Sequence, residues 1–574
     1  MHGRSLSSLL VALAGAASVA GQASAAEIFV NADIATSVTW TKNNRYNLQG
    51  QIYVLPGATL TIEAGTVVAS DAGGSLAVTR DAKIVAIGTQ NEPIIFTSKN
   101  DVATWVNGNP KTGTWRAVAN EWGNLTIMGR AYIGKYGNGA PGTNTAAPNS
   151  ANYANMEGLV ASGGSDTRTR YGGGNDLDNS GRLSYVSLRY GGKVVGLGNE
   201  LNGLSLGGIG KGTILDHIEI MNNVDDGIEI WGGTVDIKYF SIWNVGDDSF
   251  DVDHGWRGRA QFGLIVQGYS IPGAASGSGF PDAAIEMDGA AKSDAQPVTT
   301  TCLYNMTVIG QPLSGRHGTK WRDNARAQFR NSIFMDLGGE VVRFDNTDGE
   351  ATDGETGYGY NGTLTWANTW TTNWNVYSPV NPFANPATAY TAQFSGKLIE
   401  FTDNVFFNNN AAAAYTEANA RGVFAAANNN VQAASGQSPI QAITRGANVI
   451  SGTIVVQPVI SLDPRPKNAA LTSVGSAPNN GFFTPANYRG AFAANENWLC
   501  LWTAAHAFGF NVAPPGGCVI DCAADLNGSG TVDGADLGAL LANWGGSGTG
   551  DLNGSGTVDG ADLGALLAAW GPCS

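Results

Sequence analysis

The sequence predicts a mainly β protein: a long parallel β-helix, followed by a small α-helical calcium-binding module. Three observations lead there. Short runs of alternating apolar and polar residues, broken by Gly or Asn, follow one another over residues 27–512 and recur at an interval near 22 residues. Only 14% of the 574 residues are charged while 79 are Gly, a composition of turns and buried strands rather than of amphipathic helices. Finally, the phrase DLNGSGTVDGADLGALLANWG, starting at Asp525, returns 26 residues later at Asp551 with a single change, Asn543 against Ala569.

Taken in chain order, residues 1–25 are expected to be a signal peptide. His2 and Arg4 precede an apolar run over about residues 9–20, which ends in the small-x-small site Ala23-Ser24-Ala25. That run is too short and too rich in Gly and Ala to span a bilayer, and no later run is long enough, so no transmembrane segment is expected. The expected location is secreted, extracellular or attached to the cell surface. A formal net charge of −15 argues against nucleic acid and anionic membranes as partners.

Residues 26–512 form the expected β-helix domain, with loop insertions. Sliding the chain by 22 residues sets Asp225, Asp226, Ile228, Glu229 and Ile230 on Asp247, Asp248, Phe250, Asp251 and Val252. It also sets Ile218 and Ile220 on Phe240 and Ile242, and those in turn on Phe262 and Leu264. Each coil of a solenoid buries its apolar ladder only against its neighbours, so inward positions must keep register. Asn and Gly are expected at the corners.

Stacked coils lie about 4.8 Å apart. Asp225 over Asp247, Asp226 over Asp248 and Glu229 over Asp251 therefore make a carboxylate ladder, followed at once by Asp253 and His254. Close carboxylates raise one another's pKa, and three arrangements relieve that. A calcium ion could bridge them, an acid/base pair could share a proton, or the acids could sit at solvated turns bonded to backbone N–H groups. As catalytic candidates the ladder offers Asp225, Asp226, Asp247, Asp248 and Asp251, with Arg257 beside them. Trp231, Trp243 and Trp256 near the ladder, and Trp366, Trp370 and Trp374 in an Asn/Thr-rich insertion, are either sugar-stacking platforms or ordinary packing. The basic group His317, Lys320, Arg322, Arg326 and Arg330 either meets an anionic sugar or pairs with nearby acids.

After a linker at residues 513–520, residues 521–574 carry seven Asp and no Lys or Arg. Each repeated phrase reads as a twelve-position calcium loop. The first places Asp525, Asn527, Ser529, Thr531 (through its carbonyl), Asp533 and Asp536 at positions 1, 3, 5, 7, 9 and 12. The second repeats this with Asp551, Asn553, Ser555, Thr557, Asp559 and Asp562. Gly530 and Gly556 supply the sharp turn. One short helix follows each loop, with Leu537, Leu540, Leu541 and Trp544 on one apolar stripe and Leu563, Leu566, Leu567 and Trp570 on the other. Neither helix is long enough to stand alone, so the stripes are expected to face each other. Cys522 and Cys573 bracket the repeat and suit a clasp, which would leave Cys500 and Cys518 to tie it to the preceding domain and Cys302 over; sequence alone does not fix the pairing.

Two calcium loops, each with one following helix and Asp at position 12, resemble a dockerin domain of the Gly- and Cys-flanked planctomycete type. That resemblance implies calcium as cofactor, and a cohesin-like or cell-envelope partner. The stretches IYVLPGATLTIEAGTVV, DDGIEIWGGTVDIKYFSIWNVGDDSFDVDHGWRG and YRGAFAANENWLCLWT resemble a family of secreted bacterial right-handed β-helix proteins, which implies fold and export but no reaction. Together they imply display of a β-helix through a calcium-dependent dockerin-like domain, in polysaccharide binding or catabolism. Two alternatives stand beside this. One is a polysaccharide lyase or glycoside hydrolase acting on an acidic polysaccharide. Paired Asp residues resemble polygalacturonase-type hydrolases, and calcium with Arg257, Arg259 or Lys238 as base resembles pectate-lyase-type β-elimination, although neither full motif is present. The other is a structural or adhesive surface protein with no catalytic site.

Overall fold

The structure is a computed structural model. It describes residues 25–135, 152–159, 166–192, 194–196, 199–270, 280–290, 296–313, 317–344, 368–372, 385–393, 399–409, 426–518, 522–527, 531–553 and 555–572. Residues 1–24 of the expected signal peptide, residues 519–521 at the junction of linker and tail, Ser529, Trp366, Trp374 and Cys573 lie outside the described residues. No described helix is long and apolar enough to cross a membrane.

Parallel strands stack coil on coil, as expected of a β-helix. One wall is a nine-stranded sheet running from Gln51–Val54 through Leu204–Ile209, Ile228–Gly233, Phe250–Trp256 and Ala283–Asp288 to Val342–Phe344. The seventeen-stranded sheet supplies the rest of the circuit. Its long strands Gly181–Arg189, Ile214–Asn223, Ile237–Val245, Arg259–Val266 and Thr300–Ile309 each turn a corner within their own length. The turn falls at Tyr185, His217, Tyr239, Phe262 and Asn305, which have φ of 52°, 50°, 54°, 59° and 55°. Left-handed backbone is costly for large side chains. Here stacking offsets it: ring centroids are 4.1 Å apart from Tyr185 to His217, 4.6 Å on to Tyr239 and 4.8 Å on to Phe262. Asn at corners matches expectation at Asn222 and Asn244, but the aromatic corner does not follow from the Gly/Asn rule.

The inward rows hold the coils together. Leu76, Leu125, Leu204, Ile228, Phe250 and Ile285 pair in register on the nine-stranded wall and are fully buried. The offset of 22 is observed for Ile228 on Phe250 and for Ile218 on Phe240. It fails one coil later, where Phe240 pairs with Gly263 and Ile242 with Ile265. One extra residue has entered, because Trp231 pairs with Asp253 but Gly233 with Trp256. This bulge contains His254 and Gly255, both with positive φ.

The coils end at Val431–Gln432. The following chain forms the antiparallel pair Ile440–Arg445 with Val459–Pro466 and then lies along the outside of the solenoid. Its segment near residue 504 is anchored by buried Glu219, which accepts the Ala504 and Ala505 backbone N–H groups. Cys500 and Cys518 are disulfide-bonded, and Cys522 is also in a disulfide. Cys302 is a buried free thiol, pushed up to about 12 by burial.

The tail has the helices Gly534–Ala542 and Gly560–Ala568. Leu540 and Leu566 are buried in a small core with Ala524, Val532 and Val558. The rest of each stripe departs from expectation. Leu541, Trp544, Leu567 and Trp570 are each about half exposed, so the stripes meet through one edge and leave the other in solvent.

Candidate functional site

The outer face of the nine-stranded wall carries a charged row that the coil register builds directly. Ser205, Glu229, Asp251, Glu286, Lys320 and Arg343 occupy the same outward position on six successive strands. The turn preceding these strands adds Asp225, Asp226, Asp247 and Asp248. Asp226, Glu229 and Asp251 each offer a carboxylate oxygen within 4.8 Å of the others, as do Asp225, Asp226 and Asp247.

The row is polarised. At one end cations neutralise it: Lys320 Nζ lies 2.8 Å from Glu286 and 3.2 Å from Asp282, and Arg322 pairs with Glu286 and Asp288. The basic stretch therefore serves, in part, as partner for nearby acids; Arg330 pairs with Glu400 likewise. At the other end, among the described residues, Asp226, Glu229, Asp247 and Asp251 have no ion-pair partner. Asn202 donates to Glu229, while Asn202 Oδ1 and Asp251 Oδ1 are buried with no hydrogen-bond partner. Asp226 and Asp248 do part of the work of turn residues, since each gives one oxygen to a backbone N–H of the next coil, Asp248 (2.9 Å) and Ala283 respectively.

Burial, and then the neighbouring carboxylates, push Asp226, Glu229, Asp247, Asp248 and Asp251 well above the ordinary carboxylate range. A carboxyl raised in the fold binds protons that the unfolded chain, at about 4, has already lost. Its contribution is complete below that value and is lost as pH rises through the folded value. With divalent cations chelated, thermal melting is therefore expected to show falling stability as pH rises from about 4 toward neutrality. Changing Glu229→Gln together with Asp251→Asn should flatten that slope; an unchanged slope would contradict the assignment.

Arg257 is not part of this group. It is buried, and both terminal nitrogens lie 2.7 Å from Asp176. Nor are the other expected base candidates: Arg259 pairs with Asp236, and Lys238, on the other sheet, donates to Phe482 O and Thr484. Four of the tryptophans, Trp231, Trp243, Trp256 and Trp370, are packing residues. Trp256 is in the core, Trp243 lies beneath the covering C-terminal segment, and Trp231 packs against Tyr171. Trp370 stands edge-on to Tyr390.

Beside the acids, the bulge creates a constellation that single-residue reading missed. His254 Nε2 lies 3.0 Å from Asp253, its Nδ1 2.6 Å from the Tyr171 hydroxyl, and Lys135 Nζ 3.4 Å from Nε2. Burial raises Asp253, but the His254 imidazole outweighs it and the carboxyl is pulled down to about 2. Tyr171 comes from the strand Arg170–Gly172, which with Tyr153–Asn155 forms a hairpin packed over the wall. The available signal was the one-residue break in the 22-residue offset, which falls at His254.

In the tail, the carboxylate at the twelfth position of each repeat closes its loop onto the backbone. Asp562 accepts the Asn553 and Asp559 N–H groups at 3.0 and 2.8 Å, and Asp536 accepts those of Asn527 and Asp533 at 3.1 and 2.8 Å. The Asp533 and Asp559 N–H groups, against burial, hold these carboxyls below their usual range. Asp551 takes the Ser555 and Gly556 N–H groups.

Over residues 32–367, more than half of its length, the chain matches the family described as a pectate-lyase-like beta helix domain, and it belongs to that family. Membership is consistent with a polysaccharide-related role. No curated protein and no solved structure matches the chain.

Proposed function

We propose, from its membership of the pectate-lyase-like β-helix family, that the protein is exported and holds an acidic polysaccharide on its nine-stranded wall through calcium. Its C-terminal dockerin-like module would fix it to a cohesin-like or cell-envelope partner. One observation carries the first part: among the described residues Asp226, Glu229, Asp247 and Asp251 have no ion-pair partner, whereas Glu286, further along the row, pairs with both Lys320 and Arg322. Asp226, Glu229 and Asp251 suit a hard cation, because their oxygens converge and Asp251 Oδ1 has no protein partner. Calcium bound there would supply a positive charge shared between the wall's carboxylates and those of the polymer. Breakdown of the polymer is the second reading, favoured by the Asp253–His254–Tyr171 group beside the same row.

The tail's part rests on its two loops and on the exposed Leu541, Trp544, Leu567 and Trp570, an apolar face suited to a protein partner. Electrophoresis through gels containing polygalacturonate tests the reading. The full chain should be retarded with calcium and not with chelator, and neutral dextran should have no effect. A chain ended after Cys518, so that the Cys500–Cys518 disulfide is kept, should be retarded equally yet lost from the cell envelope. New reducing or unsaturated ends would favour breakdown. Equal migration in every gel would sink the calcium reading.

A further inference from the structure

A second charged group on the same wall has the opposite sign. Arg80 and Arg130 follow the paired strands Ser75–Val78 and Leu125–Met128, and Arg170 comes from the covering hairpin. In a chain with a net charge of −15, three arginines at one place need an explanation.

A carboxylate partner accounts for only one of them. Arg130 forms a two-pronged pair with Asp81. Arg80 donates only to the Gly172 carbonyl, at 2.8 Å. Arg170 lies over the Tyr153 ring, 4.3 Å from its centroid, and its Nε is buried without a hydrogen-bond partner. Among the described residues neither Arg80 nor Arg170 has a carboxylate within ion-pair distance. Asp178, the other acid near Arg130, is buried, takes the Ser180 hydroxyl and the Arg130 backbone N–H, and is itself pushed up by burial. Arg80 lies over the same Tyr153 ring, 6.0 Å from its centroid, which brings it beside Arg170; burial, and then Arg130, hold it below its usual value against Asp81.

The geometry leaves a place between them. Gly173 is exposed, and the point where its Cβ would sit is 3.4 Å from Arg130 Nη1 and 3.5 Å from Arg80 Nη1. Two guanidinium groups from successive coils thus point at one solvent-open spot with no side chain in it. Guanidinium forks match the planar or tetrahedral oxygens of carboxylate and sulfate.

We infer that Arg80, Arg130 and Arg170 form a binding site for an anionic group, carboxylate or sulfate ester, carried by the polysaccharide. The inference rests on the proposed role of this wall. The site lies beyond the ends of the strands, whereas the acidic turn precedes them, so the wall offers the polymer one subsite that needs calcium and one that does not. A glycan with anionic groups on successive sugars can engage both.

Binding of fluorescent oligogalacturonate, a sulfated dextran oligosaccharide and neutral maltohexaose to the full chain, measured in chelator, isolates this subsite from calcium. One or both anionic probes should bind, with affinity falling as salt rises, and maltohexaose should not. The better of the two anionic probes identifies the group. Arg80→Gln with Arg170→Gln should weaken binding at least about tenfold, from the loss of charge-assisted hydrogen bonds. Arg80→Gln alone, whose amide can still donate to Gly172, should give a smaller loss in a chain that melts normally. Because calcium is chelated throughout, failure of the calcium reading and failure of this one are separable. Equal binding by the wild type and both arginine variants, or no anionic binding in chelator, would overturn the inference.

Discussion

Replacing Asp536 or Asp562 by Ala is expected to unfold the tail even in saturating calcium. Each carboxylate is buried and accepts two backbone N–H groups that close its loop. Its removal takes the shared acceptor from both N–H groups and deletes the carboxylate at position 12 of the loop. The tail has little with which to absorb that. Its two helices are nine residues long, its core centres on five buried side chains, and its seven Asp repel one another without a cation. Limited proteolysis of the full chain gives the readout. With calcium the wild type should resist cleavage over residues 521–574, and either variant should be cut there as fast as wild type in chelator. The coils should stay intact, since no inward row depends on the tail. Calcium-protected variants would show that the loops do not hold the tail together.

What was legible in the sequence follows from how each feature is encoded. The coil register could be read because inward positions are strictly apolar, and Glu229 over Asp251 came with it. The same offset slipped by one residue after Trp231, because a bulge changes the count without changing composition. That bulge places His254 beside Asp253, so the His254 group was the part of the site least readable from spacing. Tyr171 and Lys135 were out of reach too, since one arrives from a hairpin and the other from the irregular segment after Leu125–Met128, and neither has a periodic signature. Arg257 illustrates the converse: three residues from His254 in the chain, it turns into the fold to meet Asp176. The tryptophans near the acids were ambiguous because an aromatic side chain suits a sugar face and a core equally well. Repeat identity made the two twelve-position loops explicit, but a stripe at helical spacing could not say that Leu541 and Trp544 face solvent.

The second large effect concerns the wall. Glu229→Gln with Asp251→Asn removes two buried carboxylates that repel each other and their neighbours. Burial and like charge both oppose ionisation of these carboxyls, so the variant in chelator at neutral pH should melt above wild type. Calcium should reverse the order, because it stabilises the wild-type wall and finds no comparable site in the variant. A variant that melts below wild type in chelator would mean that these acids are structural turn residues.

Calorimetric titration of calcium into the full chain tests most directly whether the acidic row is a cation site. The wild type should bind more calcium than its two tail loops account for, and Glu229→Gln with Asp251→Asn should lose that excess while the tail ions remain. A wild type that binds only the tail ions, or a variant with undiminished stoichiometry, would contradict the account.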